Sequence, residues 1–135
     1  MTCILSGMSE HNADECFHDG FLDGLRLHET SQSVAIYLRT EQDDRFILRL
    51  NGLERLTIND FREGNIVFDL TFIPAQVISI AAINEVYRLS DSQNETAKRL
   101  LLSAQQGRLQ LLEIASSCGA TGIALFKEYS LLPEE

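Results

Sequence analysis

Apolar and polar positions alternate with a period of two through most of the segment 17–73, which is typical of half-buried β-strands. Turn residues interrupt this alternation at intervals, so the pattern predicts an antiparallel meander of about four strands. The apolar runs of these strands begin at Phe21, Val34, Phe46 and Ile66. The third strand is expected to bend at Gly52, because glycine adopts the positive φ of a turn or bulge at little cost.

Two of these strands carry more specific expectations. In the first strand, Asp23 breaks the alternation between Gly20 and Gly24, which predicts a β-bulge and a register shift. The fourth strand has the strongest apolar pattern and is expected at the centre of the sheet. Its predicted inward face consists of Ile66, Phe68, Leu70 and Phe72.

After Pro74, which has no amide donor, the apolar spacing changes to steps of three and four and predicts two amphipathic helices packed on the sheet. The first helix places Ile80, Ile83, Val86 and Tyr87 on one face. The second begins with a capping box at Ser92 and Glu95 and ends before Gly107. Its apolar face consists of Ala97, Leu100, Leu101 and Ala104.

The end of the chain returns to a strand pattern. The segments Leu109 to Ala115 and Ile123 to Tyr129 predict a C-terminal strand hairpin with its turn in 116–122. Strands, then helices, then strands indicate an α+β fold rather than an alternating α/β one. We expect one α+β domain over 16–135, and a flexible N-terminal tail over 1–15, where no periodicity is sustained.

Composition excludes several classes of protein. The 135 residues are 44% hydrophobic and 23% charged, which is ordinary for one folded domain. The formal net charge of −9 repels nucleic-acid phosphates, so no nucleic acid is expected as a partner. No apolar run approaches the roughly 20 residues of a membrane span. The N-terminal sequence also lacks the features of a secretory signal, and we therefore expect a cytoplasmic protein that does not bind membranes.

Metal-ligating residue types cluster near the start of the predicted domain. Cys16, His18 and Asp19 lie close together with His11 upstream, and zinc binds thiolate, imidazole and carboxylate groups. No paired cysteine or histidine motif supplies the remaining ligands. Hydrogen bonds from His18 and Asp19 to nearby backbone are the commoner outcome, so neither a metal nor another cofactor is predicted.

Two further features resemble catalytic groups. Asp19 and Asp23, four residues apart, would share one face of a regular strand, where paired carboxylates can perform acid–base chemistry. Cys118 in Ser117-Cys118-Gly119 resembles a nucleophile, but all three histidines lie within the first 28 residues. The three cysteines, an odd number, are expected to be free thiols. No catalytic motif is found, and His18, Asp19, Asp23 and Cys118 remain candidate binding residues if the fold brings them together.

Arginine makes up nine of the eleven basic residues and is concentrated in the predicted meander. Some of these arginines fall on the outward face, opposite Glu29, Glu41 and Glu54, where cross-strand ion pairs are the simplest expectation. The alternative is a face shaped for an acidic or planar partner. The arginines of the meander are Arg26, Arg39, Arg45, Arg49, Arg55 and Arg62.

Three short segments resemble small uncharacterised bacterial α+β proteins, some of which look like immunity proteins of polymorphic-toxin systems. The segments are Phe17-His18-Asp19-Gly20, Arg62-Glu63-Gly64-Asn65-Ile66 and Ser117-Cys118-Gly119-Ala120. The resemblance carries over no catalytic residue. It implies a bacterial cytoplasmic binding protein whose acidic surface would suit the neutralisation of a basic toxin such as a nuclease.

Three functional hypotheses follow from the sequence. The first is a non-enzymatic protein-binding module, of which an immunity-type inhibitor is one form. The second is a structural homo-oligomer, such as a homodimer, that buries Val67 and Ile73 of the fourth strand against a second copy. The third is an enzyme, or a small-ligand or metal-binding protein, that uses His18, Asp19, Asp23 or Cys118.

Overall fold

A computed structural model describes residues 17–90 and 94–134 of the chain. These residues form an antiparallel sheet of eight strands and two α-helices, which confirms the α+β class. The predicted tail over 1–15 and the capping residue Ser92 lie outside the described residues. The strands are β1 (Phe21–His28), β2 (Ser33–Arg39), β3 (Arg45–Asn51), β4 (Arg55–Asn59), β5 (Asn65–Ile73), β6 (Gln110–Cys118), β7 (Thr121–Phe126) and β8 (Glu128–Pro133). The helices are α1 (Ile80–Tyr87) and α2 (Asn94–Gln106), preceded by a 3₁₀ turn at Ala75–Val77.

The strand order is β4-β7-β6-β5-β1-β2-β3-β8. Strands β1, β2 and β3 form a meander and β6 pairs with β7 as a hairpin, as predicted. The prediction of about four strands in one meander understates the sheet, which has eight strands and in which β5 pairs with β1 and β6. Strands β4 and β8 are the two elements that the sequence pattern did not separate.

The predicted third strand divides into β3 and β4 at the predicted bend. Gly52 has a φ of +62°, and the chain continues through it from β3 into β4. The C-terminal chain bends opposite this point, between β7 and β8. At this bend Lys127 N donates to Asn51 O at 3.0 Å, which keeps the two chain segments paired. Strands β3 and β4 thus pair with β8 and β7 as one bent ribbon. Both ends of the strand order belong to this ribbon, so the sheet curls around its inner face.

The inner face of the curled sheet holds the main core. Side chains from β2, β3, β5, β6 and β7 meet there. The predicted inward face of β5 is only partly right: Leu70 and Phe72 are buried, but Phe68 is 47% exposed. Register shifts against β6 on both sides of Val67 move Phe68 outward and bring Val67 into the core.

This change removes the surface that the homo-oligomer hypothesis required. Val67 is 1% exposed and belongs to the main core, so its side chain is not available to a second copy. Ile73 packs against the apolar cluster beneath the helices. Val67 therefore cannot contact a second copy as predicted, and self-association itself stays a prediction.

Both helices form where the sequence predicts them. Helix α1 begins after Ser79, whose Oγ accepts a hydrogen bond from Ala82 N at 3.1 Å, and α2 ends at Gln106, before Gly107. The helices cover the outer face of β4, β7 and β6, where Thr57 Oγ1 of β4 donates to Val86 O of α1 at 3.1 Å. The apolar cluster beneath them contains no residue of β1, β2, β3 or β8 in the described part of the chain. The sheet therefore has one outer face covered by helices and another that these helices leave open.

Candidate functional site

His18 and Asp19 lie in the turn before β1. His18 Nδ1 donates to Phe68 O at 2.7 Å, and its ring packs edge-on against the Phe68 ring. Asp19 has a φ of +63°, and its amide donates to Val67 O at 2.9 Å. His18 Nε2 lies 3.6 Å from Asp19 Oδ2. The structure thus brings these two candidates together and ties the turn to β5.

Cys118 and Asp23 occupy other places in the sheet. Cys118 is exposed at the end of β6 and pairs with Ile66, whose other neighbour is Phe21 of β1. Strand β5 therefore separates Cys118 from β1. Asp23 lies at the bulge in β1 that the sequence predicted, and its carboxylate accepts two hydrogen bonds from Arg39. The four candidate residues are thus distributed over three parts of the sheet.

Two of the three segments that carry the resemblance, 62–66 and 117–120, meet at Asn65. This side chain is 2% exposed, and its Oδ1 accepts from Ala120 N and from Arg62 N, each at 2.9 Å. Its Nδ2 donates to Leu22 O at 3.2 Å and to Arg62 O. The amide therefore joins the loop before β5, strand β1 and the β6–β7 turn, which gives these two segments a structural role.

Two classes of site find no support in the described ranges 17–90 and 94–134. No group of three or more histidine, cysteine, aspartate or glutamate side chains there is arranged to hold a metal ion. Within the same ranges, neither helix is long and apolar enough to cross a membrane.

The open outer face of β1, β2, β3 and β8 carries an ordered set of side chains, which we call the arginine face. Its middle row crosses all four strands, because Gly24 pairs with Tyr37, Tyr37 with Ile47 and Ile47 with Leu132. On one side of this row, Ala35 pairs with both Arg26 and Arg49. On the other side, Arg39 pairs with Arg45. An apolar row thus lies between two rows that each contain two arginines.

The period of two explains this arrangement. In β3, Phe46, Leu48 and Leu50 point into the core, so Arg45, Ile47 and Arg49 must point outward. In β2, the buried set Val34, Ile36 and Leu38 places Ala35, Tyr37 and Arg39 on the same outer face. Antiparallel pairing in register then aligns the outward residues of neighbouring strands in rows.

Arg39 is held in place by its neighbours. Its Nε and Nη2 donate to the Asp23 carboxylate at 3.0 and 3.2 Å, and its guanidinium lies 4.2 Å from the centre of the Phe21 ring. These hydrogen bonds to Asp23, with a further ion pair to Asp43 at 3.7 Å, raise the pKa of Arg39 further above its ordinary value. Arg45 Nε lies 3.8 Å from the same Asp43 carboxylate and remains largely exposed.

Arg26 and Arg49 differ from this pair. Both are exposed, and among the described residues no ion pair or side-chain hydrogen bond engages either guanidinium. The expected cross-strand partners Glu29, Glu41 and Glu54 do not pair with them, and the pairs that do form use Asp23 and Asp43. The other two arginines of the predicted meander lie elsewhere, Arg55 over the Tyr87 ring and Arg62 in the loop before β5.

A cleft of about 450 Å³ opens in the arginine face where Gly24 provides no side chain. A Cβ atom added at Gly24 would lie 3.8 Å from Tyr37 Cδ2, so the position has ordinary van der Waals space that glycine leaves unfilled. The cleft is lined by Asp23, Gly24, Arg26, Tyr37, Arg45 and Glu134. The cleft thus presents the Tyr37 ring, the guanidinium groups of Arg26 and Arg45, and the carboxylates of Asp23 and Glu134. Arg39 already binds the Asp23 carboxylate.

The sequence pattern indicated the arginines of this face but missed Tyr37, Ile47 and Leu132. These residues stand on the polar phase of strands whose other phase forms the core, and that position is the signal that distinguishes them from core residues. Leu132 is 60% exposed.

No protein-family model matches the chain, and no curated protein is significantly similar to it.

Proposed function

We propose that the protein is a non-enzymatic binding module whose arginine face binds an acidic segment of another protein. The observation that carries this proposal is the pair Arg26 and Arg49, which are exposed without a carboxylate partner among the described residues, beside the apolar row of Tyr37, Ile47 and Leu132. Arginine and aromatic residues are enriched at protein interfaces, and arginine binds carboxylates through two parallel hydrogen bonds.

The overall charge makes this arrangement notable. In a chain of net charge −9, four arginines lie together on one face of the sheet. Ion pairs within the face stabilise Arg39 and, more weakly, Arg45. Arg26 and Arg49 gain nothing of this kind, and an external carboxylate would supply the missing partner.

The side chains of this face argue against two other ligands. In a two-fold symmetric pair, both copies use the same surface patch, so a dimer through this face would bring two sets of arginines into one interface. The side chains of the middle row disfavour single-stranded nucleic acid as the other ligand. The middle row contains one aromatic ring, whereas sheet surfaces that bind single strands stack successive bases on several.

Selection from a peptide library tests the proposal and does not require the natural partner to be identified. A display library of random 16-residue peptides is selected on the immobilised wild-type protein and, in parallel, on the R26E/R49E variant. We expect the wild type to enrich peptides that combine aspartate or glutamate with apolar residues, and we expect the variant to lose this enrichment. Peptides without an acidic excess, or equal enrichment by both proteins, would refute the proposed function.

A further inference from the structure

We infer that the segment bound by the arginine face is an acidic amphipathic α-helix that lies across β1, β2, β3 and β8, along the row from Tyr37 to Leu132. This inference rests on the proposed function and specifies the shape of the ligand. Its basis is the direction and spacing of the three rows, which follow from the strand register.

The dimensions of the face suit a helix. Strands lie about 4.8 Å apart, so the middle row across four strands is about 14 Å long. Each flanking row is displaced by two residues along the strands, which places the two arginine rows about 13 Å apart. An α-helix with its side chains is about 10–12 Å wide and rises 1.5 Å per residue, so about nine residues would cover the row between the arginines.

The apolar and charged side chains of the three rows are arranged to complement an amphipathic helix. An apolar stripe on the bound helix would contact Tyr37, Ile47 and Leu132. Acidic residues on both sides of that stripe would reach Arg26 and Arg49 on one flank and Arg45 on the other. Each element of the face then has a complementary group on a single ligand.

An extended segment fits less well. Successive side chains of a strand point in opposite directions, so over about 14 Å such a segment would direct about two side chains toward the face. Strand addition depends on backbone groups at a sheet edge, whereas this site is the broad side of a sheet and presents side chains. An extended ligand would therefore leave one arginine row or most of the apolar row without contact.

The chain already uses this geometry on its other side, where α1 packs Ala82, Ile83 and Val86 over β4 and β7. Its own longer helix is not the complementary ligand. Helix α2 exposes Leu102, but its charged residues are Glu95, Lys98 and Arg99, which are not predominantly acidic. The charges favour a helix from a different protein over a second copy of this chain.

Two designed peptides test the inference directly. Both have the same composition of leucine, alanine, glutamate and one tryptophan; one spaces its apolar residues by three and four, and the other alternates them with a period of two. We expect the helical pattern to bind at least tenfold more tightly by fluorescence anisotropy, to gain helical circular dichroism on binding, and to weaken at least tenfold against R26E/R49E.

The outcomes separate the two proposals. Tighter binding of the alternating peptide, or equal binding of both, would overturn the helix inference; if R26E/R49E still weakened that binding, the proposed function would stand. Binding of neither peptide would also overturn the helix inference, and the library selection would then decide the proposed function alone. Binding of a uridine oligonucleotide in preference to the helical peptide, with loss in R26E/R49E, would overturn both.

Discussion

Arg26 of β1 and Arg49 of β3 occupy the same row of the sheet, because both pair with Ala35 of β2. Two strand spacings put their Cα atoms roughly 10 Å apart, with a methyl group between them. Ala35 is buried although it lies on the outer face between these two exposed arginines. Both arginines can therefore be substituted without disturbing the core.

Filling the cleft should abolish binding while the fold remains intact. A valine at Gly24 has van der Waals space for its Cβ beside Tyr37 and favours a strand. We expect Gly24→Val to leave the free energy of unfolding unchanged or to raise it by up to about 1 kcal/mol, since glycine loses more conformational entropy on folding. Peptides selected on the wild type should lose at least tenfold in affinity.

Chemical denaturation and anisotropy measure these two quantities on the same sample. Leu27→Ala serves as a control, because it alters an exposed residue of the same strand on the other phase from Gly24 and Arg26. A Gly24→Val variant that folds and binds like the wild type would show that the cleft takes no part in recognition.

Removing the Asn65 amide should destabilise the protein strongly. Asn65→Ala leaves Ala120 N and Leu22 O without their partner in a buried place, and each such group costs about 1–3 kcal/mol. We expect the free energy of unfolding to fall by about 2–4 kcal/mol. The matched control is Asn59→Ala, which removes an exposed hydrogen bond from Arg88 and should change stability by less than about 0.5 kcal/mol. Equal losses in urea denaturation would contradict the structural role of Asn65.

Two glycines with positive φ should respond differently to alanine. Gly64 has a φ of +72° and no described atom within 4 Å of an added Cβ, so Gly64→Ala should cost about 1 kcal/mol from backbone strain. Gly119 has a φ of +93°, and its added Cβ would collide with Asn65 Oδ1 and lie 3.1 Å from Asn65 Cα. Strain and overpacking together should make Gly119→Ala cost about 3 kcal/mol. Comparable thermal stabilities of the two variants would argue against the close contact with Asn65.

Glu113 gives the protein a defined pH dependence. Burial, with a smaller contribution from Glu85, raises the pKa of Glu113 above its ordinary value of 4.5. The folded protein therefore binds this proton more tightly than the unfolded chain, and ionisation of Glu113 opposes folding. The stabilisation present below the ordinary pKa is lost as pH rises through the raised folded value.

Glu113→Gln should accordingly unfold at a higher temperature than the wild type at pH 7, and the difference should shrink as pH falls toward 4. Glu63→Gln, in the exposed loop before β5, is the control and should show no such trend. Melting temperatures that differ by the same amount at both pH values would contradict this explanation.

Local structure was predictable from the sequence to a considerable extent. The helices, the bulge near Asp23 and the bend at Gly52 were all predicted, because glycine, proline and the apolar period act through nearby residues. The position of β5 beside β1 was not, since the period within a strand does not determine its neighbour. The outward turn of Phe68 depends on register shifts against β6, which are also non-local.

The candidate site shows the same division. The sequence suggested an arginine-rich outer face, and the register aligned Arg26 with Arg49 around Ala35. The sequence did not predict the apolar middle row, because Tyr37, Ile47 and Leu132 come from three strands, one of them at the far end of the chain. Cytoplasmic location and an immunity-type role stay predictions from the sequence and the resemblance.

Charge exchange tests the central claim most directly. The affinity of an acidic peptide selected on the wild type is measured for the wild type, R26E/R49E and the R99E control on α2, and a peptide with lysine in place of its acidic residues is measured for each. We predict that R26E/R49E loses at least tenfold in affinity for the acidic peptide and gains affinity for the lysine peptide, while R99E behaves like the wild type. Unchanged binding of the acidic peptide by R26E/R49E would contradict the assignment of the arginine face as the binding surface.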